Sequence, residues 1–164
     1  MTAPLDMLKA LADRQLSLAH GELHLRPAAS LPGLYACARE EDAGPVLSYI
    51  LVEGKKVTAM VNFRPRAAIK GDPAYNIELA VPEDRRGSGR GLDAVSAALL
   101  ELRHELGRAG VEAFQVQAIV ETDNPASMRI AEQAISESPE PATDLYSGKP
   151  ALRYLRRLET HPHA

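Results

Sequence analysis

Between Glu78 and Gly91 the chain reads Glu-Leu-Ala-Val-Pro-Glu-Asp-Arg-Arg-Gly-Ser-Gly-Arg-Gly, and Leu92, Val95, Leu99, Leu102 and Leu106 follow at spacings alternating between three and four. This is a short apolar strand closed by Pro82, a turn, and then an amphipathic helix with one apolar face. Glycines at 87, 89 and 91 let the backbone approach a ligand closely and aim several N–H groups at one point. The start of the helix adds partial positive charge, and Arg85, Arg86 and Arg90 add full charges. A turn of this composition is an anion cradle, and a pyrophosphate is its natural occupant.

Two common phosphate loops do not fit. A Walker A loop needs Gly-x-x-x-x-Gly-Lys-Ser/Thr, and no lysine follows these glycines. A dinucleotide fingerprint needs glycine at 92, where the chain has Leu92. The segment Arg86-Gly87-Ser88-Gly89-Arg90-Gly91 instead resembles the Arg/Gln-x-x-Gly-x-Gly/Ala signature of the GNAT superfamily of N-acetyltransferases. The lead-in Glu78 to Glu83 is similar to theirs as well. A second segment, Asn124-Pro125-Ala126-Ser127-Met128-Arg129-Ile130-Ala131-Glu132, resembles the Asn-x-x-Ser-x-Arg helix start of the ribosomal-protein acetyltransferase branch. The two signatures occur in family order.

A chain of 164 residues, 45% hydrophobic and 25% charged, suffices for one domain with a substantial core. Its net charge of −3 argues against general nucleic-acid binding. The lone Cys37 excludes an internal disulfide and reads as a small buried hydrophobe; neither the cysteine nor the five histidines, His24 and His104 included, have metal-ligand spacing. Residues 1–20 carry Asp6 and Lys9 within a modest apolar pattern and suit neither a secretory signal nor a membrane span, so a cytoplasmic protein is expected. Residues 160–164 read as a frayed tail.

Periodicity predicts a helix over 4–19, a strand over 22–26 ended by Pro27, and a short helix over 30–40 with Ser30 as N-cap and Pro32 in its first turn. Strands follow over 47–52 and 57–63, joined by a hairpin turn at Glu53-Gly54-Lys55-Lys56, and over 75–81. After the long helix, stopped by Gly110, come a strand over 114–120, a helix over 124–134, a loop over 136–143 and a strand over 151–158. This order defines a mixed α/β domain. The resemblance implies the acyl-CoA N-acyltransferase fold: a single-domain, mostly antiparallel, splayed sheet flanked by helices. Residues 1–20 are then a helical extension and 21–159 the acetyltransferase domain.

The resemblance also implies acetyl-CoA as cosubstrate and an amine-bearing acceptor, a small molecule or a protein N-terminus, with a homodimer common among such folds. It places the pantetheine arm along Leu79, Ala80 and Val81 and the pyrophosphate on Arg86, Gly87, Ser88, Gly89, Arg90 and Gly91. Arg86 and Arg90, which bracket Gly87–Gly89, are the favoured charge contacts. Asn124 and Ser127 would lie near the pantetheine and thiol, with the Ser127 hydroxyl protonating the departing thiolate. Asn124 is equally a good N-cap before Pro125, and Ser127 could cap too. Aminolysis of a thioester needs a base for the amine proton. Glu78 holds the acidic position before the strand end, and alternation puts it with Asn76 and Ala80 on the face opposite Leu79 and Val81. A solvated carboxylate or a strand salt bridge is its plainer role. A backbone N–H of the same strand could meet the developing oxyanion.

The pattern departs from the family in three places. Ala131 stands where many members carry a tyrosine acid, Ala134-Ile135-Ser136 replaces the usual Leu-Gly-Phe, and Asp84 stands where glutamine or arginine often opens the signature. Tyr146 and Tyr154 are other phenols, with no sequence signal placing either at the site. These departures keep open a catalytically weak CoA-binding sensor or interaction module, and a nucleotide-binding regulatory domain is a third reading.

Overall fold

The computed structural model describes residues 5–21, 25–41 and 44–161. Its elements are α1 (Leu5–Ala19), β1 (Arg26–Pro27), β2 (Leu34–Glu41), β3 (Gly44–Glu53), β4 (Lys56–Ile69), β5 (Asp72–Ala80), α2 (Arg90–Arg108), β6 (Ala113–Glu121), α3 (Pro125–Ala134), β7 (Glu140–Thr143) and β8 (Pro150–Glu159). One sheet runs β1-β2-β3-β4-β5-β6-β8-β7. Its pairs are antiparallel except β5 with β6. The fold is therefore the mixed α/β domain that the order of elements predicts, with the mostly antiparallel sheet that the resemblance implies.

Strand alternation divides the core between two faces. On one, Val61, Phe63, Ile77, Leu79, Phe114 and Tyr154 pack beneath α2 and α3, which supply Val95, Leu99, Leu102 and Ala131. On the other, Met7 and Leu11 of α1 cover Ile50, Val57, Met60 and Ala80. Each large apolar side chain buried this way contributes about 2 kcal/mol. Tyr49 meets Phe63 edge-on at 5.9 Å, and Tyr75 meets Phe114 likewise at 6.4 Å.

The predicted helix over 30–40 is not formed. Residues 34–41 are β2, paired with β3 from Leu34↔Leu51 to Glu41↔Gly44. The alanines of Tyr35-Ala36-Cys37-Ala38 suggest a helix locally, but pairing along a whole strand outweighs so weak a propensity. Ser30 does not cap a helix: its N–H and hydroxyl donate to the Glu101 carboxylate on α2, at 2.9 and 2.5 Å. The segment read as a loop over 136–143 contains the edge strand β7. The strand expected over 22–26 is described only from Leu25 onward, and His24 lies outside the described residues, as do 162–164. Thr160, assigned to the tail, is buried and donates from Oγ1 to the Val111 carbonyl at 2.6 Å.

Candidate active site

The sheet opens between its parallel strands β5 and β6. β5 and β6 pair only at Ala74↔Gln115, Tyr75↔Val116 and Asn76↔Gln117. Beyond that point β5 stays with β4 as far as Ala80, while β6 stays with β8 as far as Glu121. A V results, with its apex at Asn76 and Gln117, whose side chains bond at 3.0 Å. The edges of β5 from Ile77 and of β6 from Ala118 face each other without strand pairing, and an unpaired edge is a template for another extended chain.

A cavity lies on each side of the V. The one beneath α2 and α3, about 640 Å³, is lined by Leu79, Val81, the whole stretch Arg85 to Leu92, and Asn124, Ala126, Ser127, Arg129, Ile130 and Gln133 of the α3 region. The other, about 780 Å³, is lined by Arg66, Asn76 to Glu78, Gln117, Ile119, Glu121 and Thr143 to Ser147.

The glycine turn forms the mouth of the first cavity. A short helical turn over Glu83–Arg85 leads to Arg86 in extended conformation, and Gly89, with φ of 80°, caps α2. That backbone conformation disfavours a side chain, yet the space beside Gly89 is open. Gly91 is glycine for a different reason. A Cβ there would meet Ile130 Cδ1 at 3.1 Å, Leu79 Cδ2 at 3.3 Å and Val81 Cγ2 at 3.4 Å, so its absence lets the first turn of α2 settle against β5 and α3.

The hairpin between β3 and β4 pins the turn from outside. Lys56 pairs with Asp84, and Arg90 Nε lies 2.6 Å from Glu53 Oε1. The hydrogen bond from Lys56 holds the Asp84 carboxyl below its usual range. Ser88 Oγ donates to the Arg85 carbonyl at 2.6 Å, and Arg86 Nε donates to the Val81 carbonyl at 3.1 Å. Arg86 and Arg90 thus spend part of their donor capacity on the protein. Arg85 Nε, by contrast, is buried without a hydrogen-bond partner among the described residues. Nothing in the sequence set Arg85 above its neighbours, whereas Arg129, also lining this cavity, was already visible within the second signature.

Asn124 caps α3: its Oδ1 accepts from Ser127 N at 3.2 Å, with Pro125 at the first helical position. Capping leaves both side chains at the cavity, so the structural and ligand-facing roles of Asn124 coexist. Ala131, which the resemblance sets against a tyrosine of many N-acetyltransferases, is fully buried.

Glu78 opens onto the second cavity, on the face that alternation predicts. Its Oε1 accepts from Arg64 Nε at 2.6 Å, and Arg64 also pairs with Glu41. The bond to Glu41 raises the Arg64 pKa above its usual range, so this guanidinium is a fixed positive charge. No described hydrogen bond involves Glu78 Oε2, which leaves it available to a water or an amine. Tyr146 is 99% exposed on the rim of this cavity. Tyr154 instead stands cross-strand from Ala118, fully buried, with a hydroxyl lacking a partner among the described residues and a pKa raised by burial and then by Glu132.

No family model matches the sequence, and no curated protein matches it. Solved structures do. The RimL ribosomal L7/L12 alpha-N-protein acetyltransferase in complex with coenzyme A superposes with a TM-score of 0.53 at 16% identity, over 71% of this chain and 64% of that one. The Salmonella typhimurium protein yncA with its cofactor acetyl-CoA superposes with a TM-score of 0.50 at 22% identity, over 73% of this chain and 66% of that one. The match thus spans slightly under two thirds of each of these proteins. Among the described residues no helix is long and apolar enough to cross a membrane. The open sheet, its splayed strands β5 and β6 and these superpositions together establish that the chain has the acyl-CoA N-acyltransferase fold of the GNAT acetyltransferases.

Proposed function

We propose that the protein is an N-acetyltransferase that moves the acetyl group of acetyl-CoA directly to a primary amine in a ternary complex. The observation that carries this reading is the V between β5 and β6, with an anion cradle at one side and a carboxylate at the other. The residues fit the cosubstrate. The edge of β5 that faces the gap at Leu79 and Ala80, with Val81 just beyond it, is open to an extended pantetheine arm, and the amides from Gly87 to Gly91 are offered to a pyrophosphate beside the Arg86 side chain.

Acetyl-CoA supplies the activated acyl carbon and a thiolate leaving group. The chain supplies the proton handling. Glu78, held by Arg64 through Oε1, takes the proton of the incoming amine at Oε2, directly or through one water. Ser127, positioned by its backbone bond to Asn124, gives its hydroxyl proton to the sulfur as the C–S bond breaks and regains one from solvent, to which Glu78 releases the amine proton. A backbone N–H of β5 stabilises the oxyanion. The two cavities let cosubstrate and amine approach from opposite faces of the sheet, so neither has to leave for the other to bind. In this reading residues 21–159 are the transferase domain, and α1 is an added element on the face away from α2 and α3. A cytoplasmic setting suits the buried Cys37 thiol, and light scattering decides between monomer and homodimer.

A second reading, a CoA-binding module with little turnover, is favoured by the buried Ala131 at the tyrosine position. Calorimetric titration of acetyl-CoA, with CoA and ATP as comparators, followed by thiol release against a panel of amines, separates the readings. Saturable acetyl-CoA binding with turnover supports the transferase, and binding without turnover supports the module. ATP binding in preference to CoA overturns both.

A further inference from the structure

The cavity on the Glu78 side is polarised along its length. Glu78 and Glu121 lie toward the open end of the V, and Asp144, with its backbone-capped loop, lies beside them. Arg66 lies at the other end, one row beyond the apex, where it pairs with Ala74 on β5. Neighbouring cations of this sheet face carry acidic partners. Arg64 has Glu41 and Glu78, Arg153 has Glu140, Arg157 has Asp72, and Lys149 has Asp123. Arg66 has none among the described residues. Its one described side-chain bond is from Nε to the adjacent Ala67 carbonyl at 3.2 Å, and neither terminal nitrogen has a described partner. A guanidinium that lines a pocket with its fork unspent is suited to bidentate recognition of a carboxylate or phosphate.

We propose that the acceptor is a bifunctional small molecule, a primary amine at one end and an anionic group at the other, with Arg66 holding the anion while the amine faces Glu78. This assignment rests on the acetyltransferase reading for the role of the amine end, and on the cavity itself for the anion end. The spacing limits the length of the acceptor. Ala74 and Glu78 are four residues apart on one strand, about 14 Å. Strand side chains stand roughly perpendicular to the sheet, so the two head groups stay about 14 Å apart, and about 3 Å of hydrogen bond at each end leaves about 8 Å, too long for the single carbon between the charges of an α-amino acid. It fits an amine and an anion joined by a chain of several carbons. Ile119 offers an apolar surface to such a chain, and the hydrogen-bonded Asn76–Gln117 pair lies beneath it.

The test compares γ-aminobutyrate, δ-aminovalerate and ε-aminocaproate with propylamine, butylamine and pentylamine, which lack only the carboxylate. Thiol release gives kcat/KM for each, and calorimetry on the CoA-saturated protein gives binding. The amino carboxylates are expected to exceed their matched alkylamines in kcat/KM by about tenfold or more, the scale of one charge-assisted hydrogen bond. In Arg66→Gln that ratio falls toward one, and in Arg66→Lys part of it returns. Equal or better turnover of the alkylamines overturns the proposal, as does an unchanged ratio in Arg66→Gln. If no amine is acetylated yet the amino carboxylates bind in an Arg66-dependent way, the transferase reading fails and the anion site stands. Absence of both turnover and binding overturns the anion site as well.

Discussion

Gly89→Glu, read against Gly89→Ala, isolates the cradle from the fold. A side chain at position 89 meets nothing within 4 Å, so neither variant creates a clash. Both place an L-residue at a φ of 80°, which costs about 1–2 kcal/mol. At the start of α2 a glutamate recovers about 0.3–1 kcal/mol from the helix dipole. For a chain of this length each variant should melt within about 2–8 °C of the wild type, with Gly89→Glu no worse than Gly89→Ala. Cosubstrate binding separates them. A carboxylate about 6 Å from a pyrophosphate carrying about two charges, at an effective dielectric of about 40 for this exposed turn, costs about 3 kcal/mol. That corresponds to about a hundredfold in Kd. Titration of acetyl-CoA into each folded variant gives the comparison, and added salt should narrow the gap because the turn is exposed. Equal Kd values for Gly89→Glu and Gly89→Ala would refute the assignment of the pyrophosphate to this turn.

Three further outcomes follow from the same geometry. Glu78→Gln should lower kcat by about 10²- to 10⁴-fold while leaving the Kd for acetyl-CoA unchanged, since the carboxylate lies on the amine side; Ser127→Ala should also lower kcat, and full activity in either variant removes that residue from the proton path. Burial opposes ionisation of Glu101, but the bonds from the Ser30 hydroxyl and N–H outweigh it and set its pKa below the usual value. A depressed folded pKa gives stability that is present above the unfolded pKa, about 4.3, and lost as pH falls through the folded one. Glu101→Gln should therefore destabilise at pH 7, with the gap to wild type closing below about pH 4 in urea denaturation; a gap constant with pH rules out the linkage. Tyr154→Phe removes a buried hydroxyl with no partner among the described residues, so stability should hold or rise by about 1 kcal/mol and turnover should not change. A tenfold loss of kcat at unchanged melting temperature would instead make Tyr154 the acid that Ser127 is taken to be.

The elements around the V were legible because local rules and tertiary packing agree there. Leu92 to Leu106 carry a helical stripe, Gly110 ends the helix with a φ of 84°, Asn124-Pro125 starts the next, and each appears where its chemistry predicts. The face of Glu78 also followed from alternation alone. The failures lie where the partner is distant in sequence. Leu34 to Glu41 is a strand because β3 lies beside it, and β7 is a strand because Pro150 to Arg153 pair with it. No window within either segment contains that information. The amine side of the site was illegible for the same reason. Arg66, Gln117, Glu121 and Tyr146 come from three separate segments, form no motif, and become one cavity only when β4, β5, β6 and the loop after β7 are assembled.

What keeps the V open is also distributed, and it bears on how the site works. The apex is fixed by the Asn76–Gln117 bond, which Arg153 braces from β8 by donating to Gln117 Oε1. Past the apex each strand follows its other neighbour, β5 following β4 and β6 following β8. The first turn of α2 then fits against Leu79, Val81 and Ile130 through the missing side chain of Gly91, tying the end of β5 to the middle of α3. These are contacts of the protein with itself, so the opening exists before any ligand arrives. An extended arm entering there gains backbone partners without paying to separate two paired strands, and the ordering cost of binding falls on the ligand rather than on the sheet. The same contacts hold Ser127 and Glu78 on opposite sides of one opening. The distance between the proposed acid and base is thus set by sheet geometry, and a substitution that closes the V should remove binding and turnover together.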